Sequence, residues 1–293
     1  MKAVLLEESA AAWFAAVRAG DFASAHRVSD AILAEHRTQG ACYSVPRHEQ
    51  WIWDGTLLEG KRVLVRCYHG LGDTIMFARF LPQLARIANE VIVWAQPALI
   101  PLLETLEAPI AFLPLHEGTP DLDYDADVEL MELLHALRVT LDTPPARVPY
   151  FHLSAPDDRI RGSIGLLAQA GDWDARRSVP PDLLAELAVD RCAYSFQLGS
   201  PIPNAIDAST SDILELASRL QTMELVVTAD TMLAHLAGAL AVPTWTLLAY
   251  EADWRWMVDR SDSPWYPTMR LFRQSTPGDW PGVIQAVRTA LRQ

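Results

Sequence analysis

Two stretches of this 293-residue chain place a carboxylate at the start of a helix just after an apolar run, a setting that serves anion binding and proton transfer alike. The longer is ELVVTADTMLAHLAGALAVPTWTLL, Glu224 to Leu248. Leu225, Val226 and Val227 read as a strand buried on both faces. Thr228 to Thr231 supply the turn, with Asp230 as N-cap. Met232 to Leu240 form a small-residue helix that includes Leu233 and His235, and Pro243 precedes the next apolar run. A helix opening past the carboxyl end of a strand aims its unpaired N–H groups and positive dipole end outward, which suits a phosphate. An ordinary βαβ unit in which Asp230 only caps fits the same letters, and both readings stand.

The second stretch, His69-Gly70-Leu71-Gly72-Asp73-Thr74, follows the apolar run RVLVRCY and opens a helix. Gly70 and Gly72 allow a tight turn and the close approach of a ligand. A dinucleotide fingerprint would need glycine where Ile75 stands, and a Walker loop would need a following GK[ST], so neither is present. What remains is Asp73, either a helix cap or a general base.

The elements that must hold these turns alternate in a regular way. Val4–Ala19 and Phe22–Arg37 read as a helical hairpin, with Phe22, Ala25, Ser29, Ile32 and Leu33 on one side of the second helix. The phrase RAGDFASA resembles a tetratricopeptide turn, but one hairpin cannot build a solenoid and is expected to dock on the next domain. A connector, 43–60, is plugged by Trp51 and Trp53. Strands at 62–68, 91–95, 110–115 and 127–130 then alternate with helices at 75–88 (kinked at Pro82), 97–106 and 132–139. The four prolines of Thr143–Pro156 mark a linker. Strands at 163–168, 193–198, 225–227 and 269–273 follow, with helices from Pro180, at 211–220, at 232–240 and at 279–292. This order predicts an α/β chain of two doubly wound, parallel-sheet domains facing a cleft: a hairpin at 1–42, then 43–155, then 156–293, with the last helix free to pack back on the first domain.

Composition narrows the partners. A formal charge of −13 argues against nucleic acid. Cys42, Cys67 and Cys192 are too few and too scattered for a disulfide framework or a zinc site. No apolar run approaches the length of a membrane span, and Met1–Leu6 is too short for a signal peptide, so a cytoplasmic setting is expected, with peripheral membrane contact left open. Asp121, Asp123, Asp125, Asp127 and Glu132 imitate a calcium loop, but Ala126 stands where the sharp turn needs glycine, and the run reads as an acidic approach to a strand. The aromatics Tyr250, Trp254, Trp256, Trp265 and Tyr266 crowd one loop, as core filling or as a stacking surface.

HGLGDT followed by ADTMLAHLAGALAVP resembles the family-9 glycosyltransferases, the ADP-heptose:lipopolysaccharide heptosyltransferase group. RVLVRCYHGLGDTIMFARFLP, AGDWDARRSVP and DWRWMVDRSDSPWYPTMRLFRQ look like the subgroup joined to a tetratricopeptide segment. The similarity runs from about residue 60 to the end.

That resemblance implies a GT-B-like fold, with the acceptor on the first Rossmann-like domain and the nucleotide-sugar on the second. It places the base on Asp73 and the diphosphate on Asp230, Thr231, Met232, Leu233 and His235. The basic residue before the family's helix start falls on Arg177, an Arg where Lys is usual, with Arg176 as the alternative; Arg keeps the charge and can grip a phosphate in a fork. Gln197, at a strand end, is a candidate nucleotide contact, and His69, Gly70 and Gly72 form the acceptor-side turn. The implied activity is inverting sugar transfer without metal or cofactor, from a nucleotide-sugar to a glycan, lipid-linked or protein hydroxyl. A non-catalytic binding scaffold and another GT-B enzyme, such as an epimerase, are the rival readings.

Overall fold

The computed structural model describes residues 2–38, 45–141, 147–154, 158–171, 174–189 and 191–293, with side chains from residue 8 onward. Cys42, the start of the connector and parts of the proline-rich stretch and of the AGDWDARRS loop lie outside the described residues. The chain divides into two compact units, Met1–Arg147 and Val148–Gln293. The division falls inside the proline-rich stretch, ahead of the 155/156 boundary expected from sequence, and the hairpin belongs to the first unit.

In that unit, helices α1 (Lys2–Arg18) and α2 (Phe22–His36) form the hairpin. Asp21 caps α2 through Ser24 N at 2.9 Å. Phe22, Ala25, His26, Ser29 and Leu33 are the buried face of α2, the expected stripe with His26 in place of Ile32. The hairpin docks through polar groups. His26 Nε2 lies 2.8 Å from the Val139 carbonyl, and Asp30 meets both His135 at 2.9 Å and Arg138 at 2.6 Å. The His26 and His135 rings stack with centroids 5.9 Å apart.

The connector is pinned as its tryptophans suggest. Trp51 stacks on His36 with centroids 5.0 Å apart, Trp53 meets His135 edge-on, and Ile52 between them is buried. Beyond it lie β1 (Arg62–Arg66), α3 (Leu71–Phe77), α4 (Leu81–Ile87), β2 (Glu90–Ala95), α5 (Ile100–Leu103), β3 (Ile110–Pro114), β4 (Ala126–Glu129) and α6 (Leu133–Ala136). All four strands are parallel, in the order β3-β2-β1-β4. Val63, Val65, Val91 and Val93 fill one face of the sheet; Leu64, Ile92 and Trp94 fill the other.

The sequence-predicted helix at 75–88 is two helices joined by a 3-10 turn at Ala78–Phe80, because Pro82 cannot donate into the preceding turn. The acidic run serves separate sites. Asp125 accepts from Arg62 N, Asp127 pairs with Arg66, and Glu132 turns inward to backbone amides.

In the second unit, β5 (Ile160–Leu167), α7 (Pro181–Ala185), β6 (Cys192–Ser195), β7 (Ile206–Asp207), α8 (Ile213–Gln221), β8 (Met223–Ala229), α9 (Met232–Ala239), β9 (Thr244–Leu248), β10 (Met269–Arg273) and α10 (Trp280–Ala290) follow in turn. Six parallel strands run β10-β9-β8-β5-β6-β7. Among the strands of the described residues, β7, a two-residue edge strand, escaped the sequence pattern. The last helix packs on α7 and β10 of its own unit, and Arg288 reaches Glu186 at 2.8 Å. No helix among the described residues is long and apolar enough to cross a membrane.

Candidate functional site

Strand order points to where ligands can bind. A parallel sheet opens a crevice beyond its carboxyl ends where the winding direction reverses. In the first unit that point lies between β1 and β4; in the second, between β5 and β8.

At the first switch point the chain leaves β1 through Cys67, Tyr68 and His69 and enters α3 at Leu71, four residues earlier than expected. Gly70, not Asp73, is the N-cap, and its backbone is extended at φ −67°, ψ 164°. Neither Gly70 nor Gly72 adopts a positive φ, so the turn does not demand glycine on that ground. A Cβ at position 70 would instead come within 3.2 Å of Asp73 Oδ2. Asp73 sits in the third helical position and accepts from Gly70 N at 2.9 Å, so the capping role is realised from inside the helix.

Two neighbouring strand ends brace this turn. From β2, Gln96 Nε2 donates to the His69 carbonyl at 2.8 Å and Gln96 Oε1 accepts from Thr74 Oγ1 at 3.0 Å. From β4, buried Glu129 lies 2.9 Å from His69 Nδ1 and accepts from Tyr68 N at 3.2 Å and Met131 N at 2.7 Å. Glu129 was not singled out from the sequence. Its one signal is its place as the last residue of β4, beside Arg66 in register. Behind it, burial pushes the Glu132 carboxyl up to about 7 although it accepts from Ile52 N, Trp53 N and Glu129 N.

The second switch point holds most of the donor-side candidates. Thr231, not Asp230, caps α9, its Oγ1 accepting from Leu233 N at 3.1 Å. Asp230 is buried, and burial, followed by the charge of Asp253, raises its carboxyl to about 6 against the pull of Arg177, Trp256 and Arg255. Arg177 crosses from the loop after β5, and its Nη1 donates to the Asp230 carbonyl at 3.1 Å. Arg177 Nε and Asp230 Oδ2 are both fully buried without a hydrogen bond of good geometry among the described residues, and the Trp256 indole pulls on the Asp230 carboxyl besides the two arginines.

Arg176 faces elsewhere: it is largely exposed and bound to Asp174 at 2.9 Å and Glu251 at 3.0 Å. Of the two arginines, Arg177 is the one at the strand end.

Met232 and Leu233 supply the first amides of α9, and the Met232 side chain is half-buried. His235 takes the structural option. It is buried, its Nδ1 lies 2.9 Å from Tyr266 Oη, and it stacks on Trp256 with centroids 5.2 Å apart. Gly238 lets Tyr266 sit this close, since a Cβ there would lie 2.5 Å from the ring. Trp254, Trp256, Trp265 and Tyr266 are likewise buried, as core filling requires, while Tyr250 stays half exposed. Gln197 is occupied by Gln169: Oε1 accepts from Gln169 N at 2.8 Å and Nε2 donates to Gln169 Oε1 at 3.1 Å. It thereby shapes a pocket of about 430 Å³ bordered by Gln169, Ala170, Gly171, Ala175 and Ser178.

With this geometry in place, one comparison with known proteins falls on the second of these turns. The model of glycosyltransferase family 9 (heptosyltransferase) matches residues 204–281, from β7 into the start of α10, and so includes the Asp230–His235 turn. The family 9 glycosyl transferase from Veillonella parvula DSM 2008 superposes with a TM-score of 0.56 at 13% identity, over 81% of this chain and 99% of its own. The E. coli ADP-heptose lps heptosyltransferase II gives 0.54 at 14% identity, over 79% and 99%. The chain shares its fold with these glycosyltransferases.

Among curated proteins the chain is similar to Protein FlbA from Caulobacter vibrioides, 26% identical over 289 residues, which covers 82% of this chain and 48% of FlbA. It therefore spans about half the length of that relative. The matched segment holds Thr231, Met232 and Leu233; Asp73 and Arg177 lie outside it.

Proposed function

We propose that this chain is an inverting, metal-independent glycosyltransferase that moves a sugar, with heptose the first candidate, from a nucleotide-sugar to a hydroxyl on a glycan, lipid-linked or protein acceptor. The observation that carries the reading is the Arg177–Asp230 contact at the β5/β8 switch point, which sets a guanidinium beside the start of α9. Breaking the bond between a sugar and a diphosphate builds negative charge on the leaving phosphate. Arg177 and the amides of Met232 and Leu233 are the groups to hold that charge, the stabilisation that matters most in such reactions. The buried Asp230 carboxyl is suited to the sugar's hydroxyls. Asp73, in the acceptor-side turn, takes the proton from the attacking hydroxyl.

The hairpin fits the tetratricopeptide-joined subgroup, and the acidic composition and modest apolar runs fit work in the cytoplasm.

Screening ADP-, UDP-, GDP- and dTDP-linked sugars by thermal shift, then assaying Asp73→Asn with the donor that binds, tests the proposal. One donor should raise the melting temperature, and the variant should keep that shift while losing turnover by about 10²-fold or more. Near wild-type turnover in Asp73→Asn removes Asp73 from the role of base; no shift with any donor favours a non-catalytic scaffold.

A further inference from the structure

We infer that a cavity of about 340 Å³ in the second unit is a saccharide site that takes one uncharged sugar ring, with Gln274 Nε2 donating to a sugar oxygen and Tyr250 offering the ring an aromatic surface. The site stands on this unit's own geometry; only the source of the sugar, donor or acceptor, rests on the transferase reading.

Three segments meet at the cavity: the 3-10 turn Ala175–Arg177 with Ser178 behind it, the chain leaving β9 at Tyr250 and Glu251, and the turn from β10 into α10 with Gln274 and Trp280. Gln274 is only 4% exposed and forms part of the wall. Its Oε1 accepts from Tyr250 N at 3.1 Å and from Gly278 N at 3.0 Å, two residues of the same wall. Backbone N–H groups can face only the amide oxygen, so the remaining branch of the amide is the NH₂ group, a donor. That Nε2 is buried and has no hydrogen bond among the described residues. A buried donor without an acceptor is rare in folded proteins, and the acceptor it lacks is one that an occupant of the adjoining cavity can bring.

The walls select the occupant. The half-exposed Tyr250 and the buried Trp280 supply aromatic surface. Arg176 Nη1 meets Glu251 Oε2 at 3.0 Å, which links the first segment to the second, and Arg176 is also bound to Asp174 at 2.9 Å. With two carboxylates on one guanidinium, this side of the cavity carries no surplus positive charge, which argues against a phosphate or another anion. An alkyl chain would leave Gln274 Nε2 unpaired. A sugar ring answers each feature: its oxygens accept from Nε2, its hydroxyls pair with Glu251 and Arg176, and its C–H faces cover the aromatics. The volume lies at the small end of the range of about 300–1,000 Å³ for ligand sites, room for one ring rather than a chain of them. Arg176 and Ser178 flank Arg177 in sequence, so a sugar seated here braces the turn that carries Arg177 to the Asp230 carbonyl.

Saturation-transfer NMR on the full chain tests this, with D-glucose, D-galactose, D-mannose and L-glycero-D-manno-heptose as probes and no nucleotide present. At least one sugar should receive saturation. Tyr250→Ala, at a half-exposed position, should weaken its binding by about 10-fold. Gln274→Glu keeps an oxygen for Tyr250 N and Gly278 N but puts an acceptor where the donor was, and should weaken binding by about 10-fold or more at pH 8. Tyr250→Ala decides alone if Gln274→Glu fails to fold. Saturation of none of these sugars overturns the inference, as does binding unchanged in either folded variant. So does displacement of the sugar by ADP, UDP, GDP or dTDP alone, which puts it at the diphosphate corner instead. Displacement by a nucleotide-sugar but not by its nucleoside diphosphate assigns the cavity to the donor's sugar. A nucleotide-sugar that raises the melting temperature and leaves the bound sugar in place assigns it to the acceptor glycan. If no nucleotide-sugar shifts the melting temperature, the transferase reading fails, while the sugar signal and its variants still decide the cavity.

Discussion

Asp230 shows what a buried carboxyl at a switch point costs. Its carboxyl is raised from 3.8 to about 6, chiefly by burial, so the folded state holds its proton more tightly than the unfolded chain does. Stability from this group is fully present below the unfolded value and is lost as pH rises from about 4 through 6. The loss is on the order of 3 kcal/mol at most. Asp230→Asn, which keeps the shape without the charge, should therefore melt higher than wild type at pH 7.5 and level with it at pH 4. In the same variant the donor-induced shift should shrink. Thermal unfolding followed across that pH range, with and without donor, checks both statements. A variant less stable than wild type at pH 7.5 would mean that the Asp230 charge is well paired after all.

At the level of elements, the four-residue strand β4 and the 3-10 turn after it carry more than their length suggests. Glu132 accepts three backbone amides, from Ile52, Trp53 and Glu129, and so ties the connector to the end of β4. Glu132→Gln keeps the shape but turns an N–H group toward those donors. It should destabilise the first unit by about 1–3 kcal/mol, read as a lower midpoint in urea with little change in slope.

These two glutamates also mark where sequence reading stopped. Strands, helices and both turns were legible because continuous apolar runs between turn residues and small-residue helices leave a local signature. Thr231 rather than Asp230 as the cap, and Leu71 rather than Ile75 as the start of α3, are shifts within a turn that letters alone cannot order. Glu129 was invisible for another reason. Its meaning comes from lying beside His69, sixty positions away in the chain, through the β1–β4 pairing. The different partners of Arg176 and Arg177, one in surface ion pairs and the other on the Asp230 carbonyl, likewise appear only in the fold. What holds the Gln197 and His235 side chains, Gln169 and Tyr266, is equally absent from a string of letters.

For the whole molecule, the hairpin's seam has a consequence for its behaviour in mild acid. His26 and His135 lie ring on ring, and burial holds both below the usual imidazole range of about 6.5. The folded form thus keeps them neutral, and stability from this seam is lost as pH falls through that range. Asp30, held near 2 by Arg138 and His135, stays charged throughout and cannot relieve the pair by neutralising. Hydrogen exchange should show the amides of α2 opening at pH 5 while those of β1 stay closed, with both protected at pH 8. His135→Gln should flatten the difference. The arm would then loosen where protons are plentiful while the sheet beside it keeps its pairing.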